Sequence, residues 1–125
     1  MTKTHKPLEF RDIDPLQDYY NDGRGGWYSV ARLIDEAKSL EPFDLPLAGI
    51  DLDHEIWRGC NMFDMAFHVK KVMAADVSHP VILDWNGSIA DGRHRIIKAL
   101  IDGLATIPAV RITWKMTPCR TENEK

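Results

Sequence analysis

Long apolar runs are missing from this sequence. None approaches the roughly 20 residues that a membrane-spanning helix needs, so no membrane span is expected. The first residues, Met1 to Pro7, have no apolar stretch behind their charges. They do not read as a secretory signal, and the expected location is the cytoplasm. Cysteine is scarce, with only Cys60 and Cys119. The two form no C-x-x-C pair, and neither has His or Cys neighbours at zinc-ligand spacing. They read as reduced thiols, since nothing points to an oxidising compartment. Excess positive charge is absent too: 16 Lys/Arg stand against 19 Asp/Glu, a net charge of −3. Tight unaided binding to duplex DNA needs several phosphate-neutralising cations on one face and is not expected. There is no internal repeat and no low-complexity tract.

The 125 residues fit one domain with a single core. Charge is unevenly spread. Residues 1–66 hold 7 Lys/Arg and 13 Asp/Glu, and residues 67–125 hold 9 and 6, so the second half is the one suited to an anion. Residues 1–26 are mostly polar and end in Asp22-Gly23-Arg24-Gly25-Gly26. That glycine loop lacks the Lys-Ser/Thr ending of a P-loop and reads as a mobile connector. Ser29 is placed to cap a helix to about Leu40, with Val30, Leu33, Ile34 and Ala37 on its buried face. Pro42 ends it. Leu45 to Ile50 reads as a strand. Asn61 opens a second helix to about Ala75, with Met62, Met65, Ala66, Val69, Val72 and Met73 as its core stripe and Asp64, His68 and Lys71 opposite.

Pro80 to Trp85 reads as a strand, Asn86-Gly87 as a type I′ turn, and Ser88-Ile89-Ala90 as the returning strand. Asp91 is placed to cap a helix over about 92–102 that Gly103 stops. Ile107 to Ile112 is the last strand, and 117–125 is a polar, flexible tail. The fold expected is α/β, a small mixed sheet with helices packed on it, with the domain proper spanning residues 27–116.

The segment with most chemistry is Asp91-Gly92-Arg93-His94-Arg95, where a strand becomes a helix. The first backbone N–H groups of a helix lack internal partners, and the dipole adds positive charge there. Gly92 would let a ligand approach the main chain. Arg93, His94 and Arg95 add donors, so the five residues make a phosphate cradle. At 100° per residue, Arg93 points near the middle of the face set by Ile96, Ile97, Leu100 and Ile101. It needs either a carboxylate such as Asp84 or Glu55, or an anionic ligand in a cleft. Arg95 lies away from that stripe and is expected to leave the empty fold's stability nearly unchanged when removed.

These residues, with Pro80-Val81-Ile82-Leu83-Asp84, Ala99, Gly103 and Ile107-Pro108-Ala109-Val110, resemble the core of the ParB/sulfiredoxin-like superfamily. The similarity covers about 33 residues, Pro80 to Ile112. The resemblance implies a strand–turn–strand–helix unit ending in a Gly-x-x-Arg signature. Partitioning ParB proteins hold the triphosphate of CTP with a Gly-Glu-Arg-Arg motif, in which Gly92, His94 and Arg95 would hold the equivalent places and Arg93 replaces the Glu. Sulfiredoxin has a catalytic cysteine where this chain has Arg93, so reductase chemistry is not implied. Asp91, Gly92, His94 and Arg95 match the Asp-Gly-His-His-Arg motif of ADP-dependent free-serine kinases. Those kinases use a Glu soon after the first strand as base, and Glu55 is the best-placed counterpart, with Asp51 and Asp53 next.

The expected function is therefore nucleotide or phosphate binding at Asp91 to Arg95, with CTP, ATP or ADP as ligand. A switch or a phosphotransferase would both use such a site. In a transferase, Glu55, Asp53 and His94 are the catalytic candidates. His54, Glu55 and Asp51 or Asp53 could hold a metal, and carboxylates beside phosphate donors suit Mg²⁺. His68 and His79 read as surface and loop residues. Trp57, Trp85 and Trp114 read as core or rim packing before base stacking. The alternatives are a non-enzymatic partner protein of DNA-partition or regulatory complexes, binding another protein or a second copy, and a ParB-like nuclease. The helix-turn-helix domain of full partition proteins is not expected in so short a chain.

Overall fold

The computed structural model describes residues 5–10, 18–53 and 55–121. The chain runs β1 (Tyr19–Asn21), β2 (Gly26–Ser29), α1 (Val30–Ala37), β3 (Phe43–Pro46), a 3-10 turn over Leu47–Gly49 and α2 (Met62–Ala74). It continues through β4 (Val81–Leu83), β5 (Ile89–Asp91), α3 (Arg93–Ile101), β6 (Thr106–Arg111) and β7 (Arg120–Thr121). Among the described residues this is a small α/β protein with three α-helices and two open sheets, one of them mixed. No helix there is long and apolar enough to cross a membrane.

The four-stranded sheet has the order β3-β6-β4-β5, with β6 parallel to β4 and the other pairs antiparallel. Period-two alternation gives each strand two buried faces. Val81, Leu83, Ile89, Ile107 and Ala109 look towards α3, where Ile96 and Ala99 meet them. Ile82, Ala90, Val110 and Ile112 look the other way, towards α1 and the small sheet β1-β2-β7. Tyr20 and Tyr28 from that small sheet belong to the second core. Residues assigned from sequence to a polar leader and a tail thus supply β1 and β7, and β2 pairs with both.

The hairpin between β4 and β5 is present, but its turn is not type I′. Among the described residues no residue other than glycine has positive φ, so Asn86 does not adopt that conformation. The Asp84 N–H donates to Ser88 O at 2.8 Å and the Gly87 N–H to Asp84 O at 2.9 Å. The loop is Trp85-Asn86-Gly87, with Gly87 at φ +81°, a three-residue connection closed by a left-handed glycine. The cause is Asp84, which is fully buried. Its Oδ1 accepts from the N–H groups of Asn86 and Ser88, and its Oδ2 from the Tyr20 hydroxyl at 2.8 Å.

Other expectations shift as well. The strand expected over Leu45 to Ile50 lies at Phe43–Pro46, because Leu47–Gly49 turns to bury Leu47 against the α3 side. Helix α1 ends at Ala37, three residues short of Leu40, and Ser29 makes no side-chain cap bond. On α3, Ile96 and Ala99 are buried, while Leu100 and Ile101 face outward.

Helix α2 begins where expected, with a reciprocal capping box between Asn61 and Asp64. Its rotation is the surprise. Met62 is 89% exposed and Met73 73%, Met65 and Val69 are exposed too, and of the expected core stripe only Val72 is buried. The other sides of the helix have the partners. Phe63 and Phe67 take the ring of Phe10, at centroid distances of 4.8 and 5.8 Å, and His68 reaches α3.

Candidate functional site

The start of α3 is built by Gly92. It is the N-cap at φ +110°, ψ 20°, with no side-chain cap bond. Asp91, expected as the cap, is the last residue of β5. A Cβ on Gly92 would stand 2.6 Å from Val81 Cγ1. Glycine is therefore required by close packing on β4 and by its left-handed backbone, and not by an opening for a ligand. The Asp91 carboxylate accepts from Arg95 Nη2 at 2.9 Å. Arg95 Nη1 donates to the carbonyls of Pro80 at 2.7 Å and His79 at 3.3 Å. Arg95, expected to stand clear of the fold, instead ties α3 to the end of β5 and the approach to β4.

His94 carries the next layer. Its Nε2 lies 2.9 Å from His68 Nδ1, a hydrogen bond in which the tautomers decide the donor. Trp57 stacks on His68 at 3.8 Å and 6°, and reaches His94 at 5.4 Å. Burial, followed by the charges of His68, Lys71 and Arg95, pushes His94 down to about 4. Burial also lowers His68, against the opposing pull of Asp64. Both shifts favour the neutral ring. His68, read from sequence as a surface residue, belongs to this cluster, and so does Trp57.

Beside His94 opens a cleft of about 740 Å³ between the end of α1, the end of α2, the approach to β4 and the start of α3. Ile82 and Val110 line it from the sheet, and Lys38, Lys71, His94 and Arg95 line it from the helices, Lys38 within 3.8 Å of Asp35 and Lys71 Nζ 5.6 Å from the Phe67 ring centroid. Its two carboxylates are engaged, Asp91 by Arg95 and Asp76 by Ser78 and by His79 at 3.3 Å. Lys38 was not singled out in the sequence and Lys71 only as a polar-face residue of its helix, because nothing in α1 or α2 by itself brings them to the start of a third helix.

Arg93 turns to the opposite side of the sheet. It lines two adjoining small cavities with Asp51 and Ile89. The carboxylates expected as partners do not meet it: Asp84 is held by Tyr20, and Glu55 is exposed. The acidic segment is not brought to His94 and Arg95. Asp53 and Glu55 are exposed and do not line the cleft, while Asp51 lies with Arg93. Asp51 Oδ1 accepts from the Asp53 N–H at 3.1 Å. His54, part of the expected metal set, lies outside the described residues. Among the described residues, no three His, Cys, Asp or Glu side chains gather as a metal site. Cys60 and Cys119 are unbridged thiols.

The pentapeptide is therefore divided by its own geometry. Asp91, His94 and Arg95 face one cleft, Gly92 is packed on Val81, and Arg93 faces the other side. Comparison with protein-family profiles, curated proteins and solved structures found no match to this chain.

Proposed function

We propose that this chain binds a phosphate-bearing small molecule, a nucleotide of the CTP, ATP or ADP kind, in the cleft at the start of α3. The observation that carries the reading is the convergence of Lys38, Lys71, His94 and Arg95 on a 740 Å³ cleft beside an uncapped helix N-terminus. Helix starts favour anions through free N–H groups and the dipole, and the volume suits a small ligand. His94, neutral at pH 7, can hydrogen-bond a phosphate or a base without adding charge. The resemblance of Pro80 to Ile112 to the ParB/sulfiredoxin-like superfamily supports the same reading. Transfer of a phosphoryl group would need a base and charge stabilisation at the cleft. Glu55 or Asp53, with Mg²⁺, would have to move there, so binding is better supported than transfer.

A second reading, a non-enzymatic partner protein, draws on one observation, the exposed Met62, Met65, Val69 and Met73 along α2. Thermal-shift titration with ATP, ADP, CTP and GTP, with and without Mg²⁺, separates the two. Ligand binding to the native state raises the melting temperature by mass action. The nucleotide reading expects such a rise, lost in Lys71→Ala. No rise with any nucleotide would favour the partner reading.

A further inference from the structure

Arg93 is half-buried, yet it forms no hydrogen bond or ion pair with any described residue. A guanidinium taken partly out of water without a partner is costly, and a cation in the first turn of a helix opposes the dipole. Of the nearby carboxylates, Asp84 and Asp22 are committed elsewhere, and Asp51 accepts from the Asp53 N–H. Both oxygens of Asp84 are used by Tyr20, Asn86 and Ser88. Asp22 accepts from the N–H groups of Arg24 and Gly26 and from the Tyr28 hydroxyl.

The space around Arg93 has two parts. One cavity, of about 320 Å³, has Tyr20, Asn21 and Ser88 in its wall. The other, of about 280 Å³, is walled by Leu52, Ile56, Ile96, Ile97 and Leu100. They share Arg93, Asp51 and Ile89. We infer that this groove binds a small monocarboxylate with an apolar body, its carboxylate on Arg93 and its body along Ile97 and Leu100. The planar fork of arginine matches a carboxylate with two parallel hydrogen bonds. With one arginine and two carboxylates, Asp51 and Asp22, in the wall, the groove takes at most one negative charge, placed on Arg93, and disfavours a polyphosphate. The site is separate from the nucleotide cleft, since it lies against Leu83 and Ile89, on the other face of the sheet from Ile82 and Val110.

Methyl and amide NMR titrations with hexanoate, hexanamide and inorganic phosphate test the site. Hexanoate should move the methyl signals of Ile89, Ile97 and Leu100 to saturation. Hexanamide, the uncharged analogue, should bind at least about tenfold more weakly, as should hexanoate to Arg93→Gln, for loss of a charge-assisted pair. Phosphate should leave these methyls unmoved. Equal binding of hexanoate and hexanamide, methyls moved by phosphate, or no movement with hexanoate would each overturn the assignment. The comparison of the two ligands uses the unaltered protein, so it stands even if the variant folds poorly. None of these results bears on the cleft at His94.

Discussion

His68 Nδ1 and His94 Nε2 face each other across 2.9 Å, joining α2 to α3 with Trp57 flat against the first ring. The contact needs at least one neutral imidazole, because a proton on each would leave two donors and two positive charges facing.

That fixes a pH dependence. The His94 value, pushed down by burial to about 4, lies below the ordinary 6.5 of an unfolded histidine. The unfolded chain then binds the proton more readily. Its contribution to stability is complete above about pH 6.5. It declines as pH falls towards 4, below which both states are protonated. Urea unfolding at a series of pH values should show stability falling across this window. His94→Gln should flatten the fall between pH 6.5 and 5, where few carboxylates titrate.

Arg95→Ala should destabilise the empty protein by about 1.5–3 kcal/mol, the usual worth of hydrogen bonds to a charged group. It removes the bond to Asp91 and those to the Pro80 and His79 carbonyls. Denaturant midpoints without ligand check this. An unchanged midpoint would mean that Arg95 is not a tie between α3 and β4.

Gly92→Ala should cost about 2–4 kcal/mol, combining a strained φ with overpacking against Val81. The overpacking part depends on Val81, so the same change in a Val81→Ala background should cost less. A double-mutant cycle by urea unfolding measures that coupling.

How much was legible follows from how far apart partners sit in the chain. The start of α2 at Asn61, the stop at Gly103 and the strands β4 and β6 are local, and the sequence shows them. The hairpin was legible, but its turn type was not, because Tyr20 anchors Asp84 from 64 residues away. Tyr20 was hidden in a segment that reads as polar, and Tyr28 just after it was assigned to no element. The pentapeptide stood out as the richest segment, but only the fold shows that Arg93 and Arg95 point to different cavities. Helix α2 misled because its most regular apolar stripe is its exposed side. Its rotation is set by Phe10 and His94, from far along the chain on either side.

That rotation predicts the outcome of polar substitutions. Met62→Gln and Met73→Gln should change folding stability by no more than about 0.5 kcal/mol, as for surface sites. Were the methionines core, losses of about 2 kcal/mol or more would be expected. Urea denaturation of the two single variants decides.

The claim at the centre is that the start of α3 and the adjoining cleft receive a nucleotide's phosphates, and backbone amide NMR during nucleotide titration tests it most directly. With at least one of ATP, ADP, CTP or GTP, the amides of His94, Arg95 and Ile96 and the ring of His94 should shift to saturation, and Lys71→Ala should weaken the binding. Saturable binding with shifts confined to other surfaces, or no shifts at these amides with any of the four, would contradict it.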